Sequence, residues 1–235
     1  MTKLTDENRQ QLRRVSTATL TTALMKRGLR NVFMQGVVPL RSYEGSMVGE
    51  AFTLRYIPAR EDIDQLSIFN DRDHPQRKAI EVVPAGSVLV MDGRGDTSAA
   101  TAGAILATRL QVRGVEGLVS DGGLRDVKEI RALDMPVFVG GPSAPPNLIK
   151  HHAVDMNVPI GCGGVPVYPG DIIVGDDDGV AVIPHEIANE IAEEAIAVTD
   201  YEDWVTMKVA GGHPVWGLYP ATDESRAVVA ASRKK

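Results

Sequence analysis

The sequence predicts an α/β layered fold, because short apolar runs alternate with helix-patterned stretches between Val88 and Val139. Three runs, at residues 88–91, 117–120 and 136–139, read as buried strands. Between them lie a helix pattern with Ala99, Ala102, Leu106 and Leu110 on one face and a shorter one over residues 127–133. That is a β–α–β–α–β rhythm. No internal repeat or shift of composition interrupts residues 1–235, so a single domain is expected.

The flanking elements follow in order. An amphipathic helix is expected from residue 6 to about 27, with Leu12, Val15, Leu20 and Leu24 at helical spacing and Gly28 as its terminator. Residues 47–57 alternate and carry Phe52, Leu54 and Tyr56, the pattern of a strand ending at Pro58. Residues 60–77 are charged and read as a loop with one helical turn, of the kind that often serves a substrate. Asp92-Gly93-Arg94-Gly95-Asp96 is a glycine-rich turn, after which Thr97 or Ser98 is placed to cap the next helix. Beyond Pro142, strands are expected at 165–167, 171–174 and 180–183, with turns at Pro169-Gly170 and Asp178-Gly179. A helix over 185–208 carries Ile187, Ile191 and Ala195 on one face. Residues from about 209 to 235 read as an extension of the sort that packs on a neighbouring subunit.

Composition narrows the function classes. The formal net charge is −6, and binding to nucleic acid by counterion release needs clustered Lys and Arg. The only terminal basic cluster, Arg233-Lys234-Lys235, is too small for that and reads as solubilising. The single Cys precludes an internal disulfide and fits a reducing cytoplasm, and the polar start of the chain lacks the pattern of a signal peptide. Apolar runs such as 88–91 are far too short to span a bilayer, so no membrane association is expected.

The strongest local signal is Asp121-Gly-Gly-Leu-Arg125-Asp126-Val-Lys-Glu129, between a strand and a helix. Ligands of open α/β folds sit at such strand ends. Arg125 can hold a carboxylate by two parallel hydrogen bonds, Asp126 can ligate a hard cation, and Glu129 follows one helical turn later. The plain alternative is a solvated turn in which Asp126 caps the helix. The turn at Gly93–Asp96, opening a helix, gathers backbone N–H groups suited to an anion, though it matches neither G-x-G-x-x-G nor a P-loop. Other candidates carry less. The five His lack zinc spacing, Asp176-Asp-Asp-Gly179 reads as a hairpin turn, Cys162 has no paired His motif, and Lys128 sits among charges that do not favour Schiff-base chemistry.

From Gly114 to Asp126 the chain resembles the family of 4-hydroxy-4-methyl-2-oxoglutarate aldolases, which also holds the regulator of ribonuclease activity A (RraA). The likeness runs from about 37 to 191 and includes Gly95-Asp96, Arg113-Gly-Val-Glu-Gly117, Pro136-Val-Phe138, Pro169-Gly-Asp171 and Asp178-Gly-Val180. The resemblance implies a layered swivelling β/β/α domain, a homotrimer or hexamer, and active sites between subunits. It implies that Arg125 binds the pyruvyl carboxylate, that Asp126 ligates Mg²⁺ or Mn²⁺ with support from Glu129, and that the amides of Gly103, Ala104, Ile105 and Leu106 hold substrate oxygens. Asp121 is a further candidate for orienting these groups. Two departures stand out: Ala104 occupies a place where the aldolases commonly carry an acid, and the stretch 68–77 is longer than the usual connection.

These residues lead to an expected function. It is a divalent-metal-dependent pyruvate aldolase that cleaves a 4-hydroxy-2-oxo acid, with oxaloacetate decarboxylation as a second activity through the same enolate. Two alternatives share the fold: a non-catalytic regulator that binds a ribonuclease or another protein, and a metal-dependent hydro-lyase acting on sugar-derived 2-oxo acids.

Overall fold

A computed structural model describes residues 3–232, so the basic cluster 233–235 lies outside the described residues. The helix expected over 6–27 is two helices, α1 (Asp6–Leu12) and α2 (Thr17–Lys26). The break has a local cause. Ser16 Oγ accepts the N–H of Thr19 at 3.2 Å and so caps α2, while the carbonyls of Arg13 and Val15 accept the N–H and hydroxyl of Ser46, each at 3.0 Å.

The central sheet begins with β1 (Val38–Pro39), β2 (Met47–Pro58) and β3 (Ser87–Asp92). It continues through β4 (Ala100–Ala102), β5 (Gly117–Leu124), β6 (Val137–Pro142) and β7 (His151–Met156). β8 (Ile160–Cys162) and β9 (Val165–Val167) form a separate hairpin, and β10 (Ile172–Asp176) and β11 (Gly179–Ile183) complete the main sheet. Its order is β1-β6-β5-β3-β2-β10-β11, with β2, β3, β5 and β6 parallel and the outer strands antiparallel. Residues 33–38 tie the two edges together, because Phe33 bridges Ala181 of β11 and Val38 pairs with Val139 of β6. The sheet is therefore nearly closed, in keeping with the expected swivelling β/β/α architecture.

Alternation along the strands divides the core. In β3, Val88 and Val90 point into the barrel with Met34, Val119, Phe138 and Val180, whereas Leu89 and Met91 point outward. The outward layer packs under α3 (Pro75–Val82), α4 (Ala104–Val112) and α5 (Val127–Ile130) through Ile80, Leu110 and Ile130. On the other side α1, α2 and α6 (Ala188–Ala210) bury Leu12, Leu20 and Ile191 against Val48, Val174 and Ile183. The C-terminal extension is not all irregular, since it contains α7 (Asp223–Ser232).

Three further expectations shift. The helix placed at Ser98 begins at Ala104 instead, because Asp96 Oδ1 takes the Ser98 N–H at 2.9 Å and residues 100–102 pair with β5 as a strand. The loop read over 60–77 ends in α3, whose first residue, Pro75, suits a helix start. β5 runs on to Leu124, so Gly122 and Gly123 lie within a strand. A Cβ at Gly123 would lie 2.6 Å from Ser143 Cβ and 2.7 Å from the Ala99 carbonyl, so those glycines allow close strand approach rather than a turn. No helix among the described residues is long and apolar enough to cross a membrane.

Candidate active site

Arg125 and Asp126 stand at the carboxyl end of β5, beside the short β4 and the start of α4. The Arg125 N–H donates to the Ala102 carbonyl at 3.1 Å, which locks the end of β5 to the residue preceding Gly103. Asp126 follows in the left-handed region, at φ 57° and ψ 40°. A non-glycine residue held there stores strain, and Asp tolerates it better than most. The turn directs its carboxylate back over α4, where Oδ2 accepts the Ala104 N–H at 3.2 Å and lies 3.6 Å from Arg125 Nε. Gly103 makes this approach possible: a Cβ there would fall 2.7 Å from Asp126 Oδ2 and 3.0 Å from Arg125 Cγ and Nε.

These groups open onto a cleft of about 240 Å³. Arg125, Asp126, Gly103, Ile105 and Leu106 form one wall, and Ala102 and Thr101 lie deeper. The first N–H groups of a helix have no partner within it, so the start of α4 brings donors and positive dipole to this wall. More of the lining comes from the segment that looked longer than usual. Leu66 and Phe69, in a short 3₁₀ helix, line the cleft with Gln76 and Arg77 of α3, and Asn147 lines it as well. The Arg77 guanidinium stacks on the Phe69 ring at 4.2 Å from its centre. Burial, and to a smaller extent the Arg125 charge, hold the Arg77 pKa below its ordinary value. Arg77, Gln76 and Asn147 carry no motif that marks them as site residues; only the charged character of 60–77 hints at them.

Two predicted residues are placed elsewhere. Asp121 is buried, and its carboxylate accepts the N–H groups of Gly93 at 2.6 Å, Gly95 at 3.0 Å and Gly163 at 3.1 Å. The backbone donors expected to await an anion at Gly93–Asp96 are thus already engaged, those of Gly93 and Gly95 by Asp121, that of Arg94 by the Asp92 carboxylate at 3.0 Å and that of Asp96 by the Gly93 carbonyl at 3.1 Å. Burial pushes the Asp121 carboxyl pKa up despite its bonds. Glu129 is exposed and is absent from the cleft wall. Cys162 is buried, and its thiol pKa is pushed well up by burial.

A hard cation fits Asp126 alone. Its Oδ1 accepts no hydrogen bond among the described residues and the side chain is half-exposed, which leaves one carboxylate oxygen for a ligand. No group of three acidic, His or Cys side chains suited to a metal occurs among the described residues. Mg²⁺ accepts such a thin protein shell, because it keeps waters and takes substrate oxygens.

The family model for Aldolase/RraA matches residues 17–182. The chain belongs to the RraA-like family. A Halalkalibacterium halodurans protein provisionally named 4-hydroxy-4-methyl-2-oxoglutarate aldolase is 40% identical over 118 residues, 50% of this chain and 56% of that protein. Protein DlpA of Legionella pneumophila is 29% identical over 203 residues, 86% of this chain and 32% of DlpA. The crystal structure of Streptomyces coelicolor RraAS2, described as an unusual member of the RNase ES inhibitor RraA family, matches with a TM-score of 0.76 at 29% identity. The match covers 88% of this chain and 99% of RraAS2. The aligned parts span about half or less of the curated relatives' own length. Aldolase and ribonuclease-inhibitor names thus both occur among the relatives of this RraA-like chain.

Proposed function

We propose that this RraA-like protein is a divalent-cation-dependent carbon–carbon lyase that cleaves a 4-hydroxy-2-oxo acid to pyruvate and an oxo product. The observation that carries the reading is the convergence of the Arg125 guanidinium, the Asp126 carboxylate and the first-turn amides of α4 on one small cleft.

The substrate carboxylate binds Arg125 in bidentate fashion, and the Ile105 and Leu106 amides donate to the neighbouring oxygens, since the Ala104 N–H already serves Asp126. Asp126 would hold Mg²⁺ or Mn²⁺, which when bound supplies Lewis-acid polarisation of the keto oxygen. Loss of the proton from the 4-hydroxyl lets its oxygen form a new carbonyl while the C3–C4 bond breaks. The bonding pair moves onto the pyruvyl unit as an enolate, and reprotonation at C3 gives pyruvate. Arg125 and the helix amides are fixed before the charge develops, so little reorganisation is needed. Decarboxylation of oxaloacetate passes through the same enolate.

Ala104 removes one side-chain acid from this wall, and the titratable side chains that line the cleft are Arg77, Arg125 and Asp126. The proton acceptor is then water or a group from a second copy of the chain. Ile105, at the cleft, and Val112, two turns further along α4, are 83% and 70% exposed, apolar surface that supports packing of another subunit on this helix. The alternative, a protein-binding regulator of ribonuclease, draws on the RraAS2 likeness and on Ala104.

A coupled assay for pyruvate release from 4-hydroxy-2-oxo acids and oxaloacetate, with Mg²⁺ or Mn²⁺ and then with EDTA, separates the two. Turnover that needs the cation supports the lyase. No turnover on any such acid, or turnover indifferent to EDTA, overturns it.

A further inference from the structure

The connection from β2 to α3 is fastened differently from the elements it joins. Within residues 59–74 only Asp64 and His74 are buried, and both are polar. Apolar side chains do not anchor it: Leu66 is 76% exposed, and Phe69 is half-buried in the lining of the cleft. β2 and α3, by contrast, plant Tyr56 and Ile80 in the core. A segment with so little buried apolar surface opens locally at a lower free energy than its neighbours.

Polar contacts hold it down. The fully buried Asp64 carboxylate accepts the Arg60 N–H at 2.7 Å and lies 2.7 Å from His152 Nδ1 on β7. A carboxylate oxygen only accepts, so His152 donates in this clasp. Phe69 is held by Arg77, 4.2 Å from its ring centre, and by His74, whose ring stands nearly perpendicular at 5.5 Å. The packed arrangement also carries a cost. His74 is 3% exposed, yet neither ring nitrogen has a hydrogen-bond partner among the described residues. An orphan imidazole recovers water once the ring packed on it lifts away. Groups within one segment thus set a closed state against an open one.

We propose that residues 60–73 form a flap that gates the cleft, latched shut by the Asp64–His152 clasp and released when Phe69 leaves His74 and Arg77. Pro58 and Pro75, at the end of β2 and the start of α3, bound the moving part. Opening removes Leu66 and Phe69 from the lining, and a ligand that touches them draws the flap closed. The gating role rests on the cleft being the site of the reaction, whereas the motion is read without turnover.

Hydrogen exchange of the full-length protein, followed by mass spectrometry, tests the flap in wild type, Asp64→Ala and His74→Phe. In wild type the amides of 60–73 are expected to exchange together and faster than those of β2 and α3. Asp64→Ala should speed them by about 10- to 100-fold, the value of a charge-assisted hydrogen bond. His74→Phe should slow them by at least about fivefold, because a phenyl ring keeps the contact with Phe69 without burying orphan nitrogens. Exchange in β3 and β5 should stay as in wild type. Should Asp64→Ala fold poorly, His152→Ala removes the same clasp from its partly exposed end. Pyruvate with Mg²⁺ should slow exchange in 60–73 selectively, and Asp64→Ala should raise KM while kcat is retained. Opposite responses to the two substitutions without turnover on any 2-oxo acid would retain the flap and remove the lyase. Cation-dependent turnover, with exchange in 60–73 indifferent to both substitutions or to pyruvate, would retain the lyase and overturn the gate. Faster exchange that spreads from 60–73 into β3 and β5 also overturns it, since that marks a general loss of stability.

Discussion

The Asp126 carboxylate caps a helix that does not follow it in the chain: its Oδ2 accepts the Ala104 N–H at 3.2 Å, across the gap between the end of β5 and the start of α4. One oxygen thus serves the fold while the other is left for a ligand. The two roles separate in Asp126→Asn. An amide oxygen can still accept the Ala104 N–H, and Asn also tolerates left-handed backbone, so stability should change by no more than about 1 kcal/mol. Cation-dependent turnover should fall by at least about 100-fold, as a neutral amide is a poor ligand for a hard cation. Thermal unfolding and the pyruvate assay on one preparation read both.

Gly103→Ala probes the same junction from the other side. Gly103 has extended backbone at φ −136°, which alanine adopts freely, so only the new methyl matters. That methyl meets Asp126 Oδ2 and the Arg125 side chain together and must push both aside. A displacement of that kind near reacting groups costs about 100-fold in rate, whereas the melting temperature should drop only a few degrees. Wild-type activity in Gly103→Ala would mean that Arg125 and Asp126 act in turnover from positions other than these.

Asp121 should behave in the opposite way. It accepts three backbone N–H groups in the interior, and Asn would turn an amide NH₂ toward one of them. Leaving buried donors unmatched costs about 1–3 kcal/mol for each group. Asp121→Asn is expected to destabilise the protein markedly while the surviving folded fraction retains its KM. A raised KM with undiminished stability would instead bring Asp121 into the site.

Two buried histidines set a pH dependence of stability. His74 makes no hydrogen bond through either ring nitrogen, and His151 lies between the Ala99 carbonyl at 3.2 Å and Arg94 at 3.3 Å. Since Arg94 can only donate, His151 accepts through Nδ1 and carries its proton on Nε2. Burial lowers the pKa of both rings. In the unfolded chain they titrate near about 6.5, so below that pH the unfolded state takes up protons that the folded state refuses. Stability is then full above about pH 6.5 and declines as the pH falls toward the lower folded values. Urea unfolding at several pH values should show the decline, and His74→Phe should flatten part of it without loss at neutral pH. An unchanged slope in that variant would discount His74.

Parts of this were legible in the sequence because local pattern and tertiary role coincide. Val88 to Met91 is apolar throughout, since both faces of β3 are covered, and Asp178-Gly179 marks the turn of the β10–β11 hairpin. The pairing of Arg125 with Asp126 at a strand end was equally visible. Other parts were hidden because one residue type serves two purposes. Ser98 has the chemistry of a helix cap, yet Asp96 claims its N–H, and the true start of α4 has only Gly103, with no side-chain cap. Gly122 and Gly123 look like a turn but allow strands to touch. Arg77 was the hardest to see, since nothing in a charged run tells which residue a short helix will turn toward a cleft some fifty positions away in the chain.

The cleft has walls of independent origin. Arg125 and Asp126 directly follow β5 and the start of α4 directly follows β4, whereas Leu66, Phe69, Gln76 and Arg77 ride on the connection between β2 and β3. Changes in that connection can therefore redraw which molecules are admitted while the Arg125–Asp126 wall stays put. The same division offers a practical handle: exchanging residues 60–77 alone is a route to retuned selectivity on an unaltered chassis.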